Sequence, residues 1–209
     1  MRVAGVDGTK GGWVAIVLED GALADDLLLR PVETDFADLD DVEVVAIDVP
    51  IGFGPREADR AARMFLTGTA SVVFATPPRD VLEAPFAPGL GVSAQAHSLG
   101  PRILHVIELA RHDRRFHEVH PEVSFRAMNG GQALGHRKKS AGGALKRLEL
   151  LRAAGIDLNE IEGSGSAPLD DVLDAGAAAW SAHRIANGTA KSLPDPPEEM
   201  DGYPVAIWY

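Results

Sequence analysis

The 209-residue chain contains no cysteine. That excludes a disulfide framework, a thiolate nucleophile and a cysteine zinc site, and it leaves oxygen and imidazole as the ligands for any metal. Hard cations are then the expected partners. Long apolar runs are also missing. Nothing approaches the roughly 18 consecutive apolar residues of a membrane span, and Asp7 comes too early for the apolar core of a signal peptide. The expected location is the cytoplasm. Aromatic residues make up only 6%, yet 45% hydrophobic with 24% charged is ordinary for a globular protein and points away from disorder. No heptad pattern or internal repeat is present, and the length suits one domain over residues 1–209.

Positive charge is the other shortage. A formal net charge of -11 argues against a general nucleic-acid coat protein, because phosphate binding draws on clustered Lys and Arg. The deficit is uneven. Residues 101–152 hold 11 Lys or Arg against 5 Asp or Glu, and the remainder holds 9 against 26. A local basic face on an acidic body suits an anionic substrate met at one place; solvated helix faces would give the same count.

Hydrophobic patterning supplies the architecture. Val3 to Val6 and Trp13 to Leu18 read as strands joined through Gly8-Thr9-Lys10-Gly11-Gly12, and Asp20-Gly21 turns the chain toward a third near Leu27 to Leu29. A short helical piece is expected around Thr34 to Leu39. The run Val42 to Val49 fits a central strand covered on both faces. Arg56 to Leu66 reads as a helix, residues 85–101 as a Pro- and Gly-rich loop, and Pro101 to Arg111 as another helix. Phe116 to Val119 suits a fifth strand. Lys138 to Ala154 suits an amphipathic helix with Leu145, Leu148 and Leu151 on one side. After a Gly163-Ser164-Gly165-Ser166 linker, Leu169 to Ala186 reads as an alanine-rich helix able to lie close to a sheet, and Val205 to Trp208 as a late strand. The order is that of a ribonuclease H-like α/β fold: a three-strand meander plus parallel strands, flanked by helices, with extra helices inserted before the C-terminal one.

Within that order the acidic residues acquire meaning. Asp7 and Asp48 end strands expected to lie side by side and parallel, where ligands of open α/β sheets gather. Asp48 abuts Val44 to Ile47 and loses hydration unless a cation or donor compensates it, whereas Asp7-Gly8 alone would also serve to start a turn. Asp171 and Asp174 are three apart on the last helix and project from one face. The helix dipole accounts for Asp170 and Asp171 but not for Asp174, which lies beyond the first turn. Crowded carboxylates call for a metal. Magnesium or manganese is expected, and two ions about 4 Å apart would activate a water and stabilise the leaving oxygen in phosphodiester cleavage. His120 and Glu122 follow the fifth strand and extend the same edge; Glu122 equally suits a helix start. His117 and His120 should face different sides of their strand. Other motifs fail: Gly130 to Gly135 has P-loop spacing, but His136 stands where lysine is required, and no serine sits in a nucleophile-elbow pattern.

Taken together, Gly5-Val6-Asp7-Gly8 with Gly11-Gly12-Trp13, Ile47-Asp48-Val49-Pro50-Ile51-Gly52, Ser71 with Phe74 and Pro77-Pro78-Arg79, His120-Pro121-Glu122 with Ser124-Phe125, Lys138-Lys139, and Asp170-Asp171 with Asp174-Ala175 carry a resemblance over most of the chain. The sequence resembles domain-of-unknown-function family 429, whose members are generally described as predicted nucleases of ribonuclease H-like fold. Thr9-Lys10 departs from what relatives are expected to carry. Asp171 to Ala175 also looks like the acidic pair on the last helix of Holliday-junction resolvases. By position in this resemblance, Arg79, Lys138 and Lys139 are candidates to neutralise a phosphate. The expected function is a metal-dependent nuclease or phosphodiesterase acting on nucleic acid or a nucleotide, with Asp7, Asp48, Asp171 and Asp174 as ligands. A nucleotide-binding or phosphotransfer protein is the alternative, since actin-like ATPases and sugar kinases also begin with an aspartate and a glycine-rich turn. A non-catalytic interaction protein that keeps the fold is the third.

Overall fold

The computed structural model describes residues 1–24, 28–87, 89–162 and 167–209. Among them, six strands form one sheet. β1 (Arg2–Thr9) pairs antiparallel with β2 (Gly12–Glu19), and the outer edge of β2 pairs with both β3 (Ala22–Leu23) and β4 (Leu28–Pro31). On the other side, β1 pairs in parallel with β5 (Val44–Ile47), and β5 in parallel with β6 (Phe116–Glu118). This is the ribonuclease H-like order of an antiparallel meander continued by parallel strands. In β5 all four residues are buried, with Val44 and Ala46 on one face and Val45 and Ile47 on the other, as the period of two requires.

The helices cover both faces. α1 spans Glu57–Phe65, α2 Arg79–Glu83, α3 Ala94–Ser98, α4 Gly100–His112, α5 Pro121–Met128, α6 Ala141–Ala153 and α7 Leu169–Ala186. α4 packs Ile103, Val106, Ile107 and Ala110 with Phe36 and Phe116 against Ala4, Val6, Ala15 and Val17. α7 covers the opposite face, where Leu173, Ala175, Ala178 and Ala179 meet Val3, Val14, Ile16 and Val44. Its small side chains allow near-contact of backbones. A Cβ on Gly5 would fall 1.9 Å from the Ala179 nitrogen and 2.4 Å from the Ala175 carbonyl, so glycine is required where β1 passes under α7.

Several expectations are corrected. The segment read as one loop, 85–101, contains α3, whose first turn is capped by Ser93 accepting from the Ala96 N–H at 3.1 Å. The piece near Thr34 shortens to a single 3-10 turn, Ala37–Leu39. α5 falls where only a helix start had been weighed. α6 begins at Ala141, not Lys138, because the Ser140 hydroxyl accepts from Gly143 N–H and sets the start; Lys138 and Lys139 therefore precede the helix. Leu151 is fully buried, but Leu145 is 66% exposed and Leu150 takes the inward position. The late strand is half of a hairpin, β7 (Ser192–Met200) with β8 (Tyr203–Trp208), packed on α1 through Ala58, Ala62, Leu66, Val205 and Ile207. A parallel bridge from Val119 to Trp208 ties the hairpin to the end of the sheet. Leu27 and the Gly163–Ser166 linker lie outside the described residues. No helix among the described residues is long and apolar enough to cross a membrane.

Candidate functional site

Parallel pairing of β1 with β5 puts Val6 opposite Ile47, so Asp7 and Asp48 leave adjacent strands together, and the Asp48 N–H donates to Val6 O at 2.9 Å. Asp174 comes down from the second turn of α7, 2% exposed. The three carboxyls open onto one cavity of about 510 Å³, also lined by Glu118, His120, Glu122, Arg102, Arg137, Lys138 and Arg147.

The electrostatics of this floor are unfavourable to its own charge. Burial, reinforced by Asp48 and Asp174, holds Asp7 well above the ordinary carboxylate range. Burial pushes Asp48 up to about 7, with Lys138 and the neighbouring Asp7 offsetting only part of that rise. Asp174 also rises to about 7, burial outweighing the ammonium of Lys138 beside it. For Lys138 the balance is reversed: burial pulls its pKa down, and Asp174, Asp7 and Asp48 more than restore it. One ammonium is thus too little positive charge for three carboxyls. Lys138 Nζ donates to Asp174 Oδ2, and Asp174 Oδ1 is buried with no partner among the described residues.

Around the floor, charges are paired. Arg56 binds Glu118 through Nη1 at 2.5 Å and Nη2 at 2.8 Å, and Asp59 through Nε at 3.1 Å. Glu118 Oε2 also accepts from the Ile51 N–H at 2.7 Å, which fixes the turn following Asp48. Arg147 Nη2 donates to Glu122 at 2.5 Å. Arg102 reaches the Gly12 carbonyl at 3.1 Å and lies over the Trp13 ring. His120 caps α5, its Nδ1 accepting from Glu122 N–H at 3.2 Å, and burial lowers its pKa. Its Nδ1 is thereby taken up by the cap.

The structure thus brings together Asp7, Asp48, Asp174, Glu122, His120 and Lys138 from the sequence reading. It does not bring Asp171, Arg79 or Lys139 into the cavity. Asp171 acts on Asp7 through space, but three helical residues leave it about 60° round from Asp174. Arg79 opens α2, where it lies over the Phe53 ring at 4.3 Å and pairs with Glu83. Lys139 is exposed and 3.5 Å from Asp170. His117 packs against Trp208, away from the cavity. The basic excess of residues 101–152 is largely consumed internally: Arg111, Arg115, Lys146 and Arg152 pair with nearby carboxylates, and Arg126 with carbonyls. On the rim, Arg137 is exposed and makes no side-chain ion pair among the described residues. Arg56, Asp59, Arg102 and Arg147 went unread in the sequence, because isolated charges carry no spacing signal; only Asp59, three residues after Arg56, hinted at a pair.

As the side chains stand, no group of three or more His, Asp or Glu among the described residues is arranged to hold a metal ion. The donor chemistry nevertheless fits one: hard oxygens, raised pKa values and an orphaned Asp174 Oδ1 are what a divalent cation would relieve.

A ribonuclease H-like sheet with acidic residues at the carboxyl ends of two central parallel strands, faced by an acidic residue on the covering helix, defines the structural class. The chain belongs to the family described as protein of unknown function DUF429, whose model matches residues 5–199. Among solved structures it is similar to one described as Thermus thermophilus RuvC structure, with 16% identity, covering 91% of this chain and 99% of that one at a TM-score of 0.43. No curated protein matches it.

Proposed function

We propose that this protein is a metal-dependent phosphodiesterase acting on short or single-stranded nucleic acid, with Asp7, Asp48 and Asp174 as the residues that hold magnesium or manganese. The observation that carries the reading is the convergence of three carboxyls from β1, β5 and α7 on a floor short of positive charge, with Asp174 Oδ1 lacking a partner among the described residues. When bound, a divalent cation there would polarise a phosphoryl oxygen and lower the pKa of an attacking water. The chain's own residues supply position. Arg56 and Glu118 hold the turn after Asp48 through Ile51 N–H, and Arg147 orients Glu122 at the cavity wall. Arg137 is left to meet a phosphate. Asp171 acts from outside the cavity by adding to its negative potential.

Size and charge narrow the substrate. About 510 Å³ lies within the roughly 300–1,000 Å³ range of small-ligand pockets, and a body of net charge -11 offers an extended duplex little of the positive footprint it needs. The same volume favours a free nucleotide as the second reading. Incubation with manganese and a panel of single-stranded, duplex and branched DNA and RNA, mononucleotides and ATP tests both, with Asp48→Asn as control. Cleavage of short single strands that is lost in Asp48→Asn is expected. ATP turnover without strand cleavage would replace this reading with phosphotransfer, and inactivity across the panel would leave a non-catalytic protein.

A further inference from the structure

Lys138 resembles a phosphate-binding residue in the sequence, yet its ammonium is turned inward onto Asp174 and acts on Asp7 and Asp48 as well. Its position suits exchange more than permanent structure. It lies in the connection between α5 and α6, two residues before the Ser140 cap, with exposed Arg137 and Lys139 on either side. Its own side chain remains 35% exposed, whereas that of Asp174 is 4% exposed. An ammonium so placed can return to water at small cost, because its stem stays along the cavity wall while its charge moves out.

Two cations cannot share these carboxyls without repulsion, and the one Asp174 oxygen with a partner is bonded to Lys138. Resting on the metal reading above, we infer that Lys138 is a resident counter-ion: it holds the acidic cluster together in the metal-free protein and must leave Asp174 for a divalent cation to bind. The displaced ammonium emerges beside Arg137 at the rim, so metal entry converts an internal ion pair into a free positive charge facing an anionic substrate. By linkage the metal and the anion then strengthen each other's binding.

The sign of one measurement separates this from a purely structural or purely phosphate-binding role. Calorimetric titration with manganese at about pH 8, where protons compete weakly for the carboxylates, compares wild type with Lys138→Met and Lys138→Arg. Lys138→Met is expected to bind manganese about tenfold or more tightly, and Lys138→Arg to stay near wild type because it retains the charge. In an Asp174→Asn background the advantage of Lys138→Met should shrink, since the pair it breaks is gone. Circular dichroism verifies folding, and Lys138→Gln replaces the methionine variant should that one unfold. Unchanged or weaker manganese affinity in the uncharged variants, with wild type binding, would overturn the counter-ion role and leave the metal reading standing. No binding by wild type or variant would remove both.

Discussion

Asp59 and Glu118 are buried carboxylates with one guanidinium between them, and beyond the three-residue spacing of Arg56 and Asp59 the sequence does not announce it. Burial raises the Glu118 pKa even with Arg56 beside it, which marks a group that depends on its partner. Removing the partner alone leaves two uncompensated charges in the interior, so Arg56→Met should destabilise the fold by about 3–5 kcal/mol in urea unfolding; a loss under about 1 kcal/mol would mean that the carboxylates simply take up protons. The aspartates at the carboxyl ends of β1 and β5 and on α7 give the opposite kind of prediction. Asp48 and Asp174 sit near 7, above their ordinary 3.8, so the native protein binds more protons than the unfolded chain between those values. Their contribution is fully present below pH 3.8 and is lost as pH rises through about 7. Melting temperature in a chelator should therefore fall between about pH 5 and about pH 8, and Asp48→Asn with Asp174→Asn should flatten that slope. Manganese should act in the opposite direction, stabilising most at the higher pH, where the carboxylates are charged.

At the level of elements, legibility followed how strongly local pattern and final packing agree. α7 was readable to its ends because its alanines form a long apolar face that packs on β1, β2 and β5, while Gly176 leaves room for Leu151 and Leu158 on another side. β5 was readable because a strand covered on both faces has no polar alternation to obscure it. β7 was not, since Pro194, Pro196 and Pro197 lie within it and proline ordinarily argues against a strand; it survives as half of an isolated hairpin with an irregular register between Leu193 and Glu198. α5 was hidden by its brevity, and α6 was misread at Leu145, which its spacing put on one side with Leu148 and Leu151 and the packing left in solvent. Leu145→Glu should accordingly stay within about 0.5 kcal/mol of wild type, while Leu151→Ala should cost about 2–5 kcal/mol. Gly5→Ala should be worse than its size suggests. Its methyl meets backbone of α7 at 1.9 Å, so helix and sheet must separate, with a loss of about 1–3 kcal/mol or more and a matching drop in melting temperature.

For the molecule as a whole, the convergence of Asp7, Asp48 and Asp174 was legible, whereas the place of Asp171 and of the basic residues was not. Asp7, Asp48 and Asp174 stand at positions fixed by topology, which the strand order supplies. Arg79, Lys138 and Lys139 were candidates by position in the family resemblance, and position along the chain does not say whether a partner lies nearby: Glu83, Asp174 and Asp170 take them up. This redistributes the expected effects on substrate. Arg137→Glu should weaken binding of a short single strand and reduce the salt slope by about one, whereas Arg79→Glu and Lys139→Glu should change neither appreciably. All of this depends on a cation at the acidic floor. The most direct measurement is anomalous diffraction from crystals of the protein soaked in manganese. A manganese peak is expected among the carboxylates of Asp7, Asp48 and Asp174, with the Lys138 ammonium withdrawn from Asp174; a site left without manganese, its Lys138 still bonded to Asp174 while the ion binds elsewhere on the surface, would contradict the metal reading.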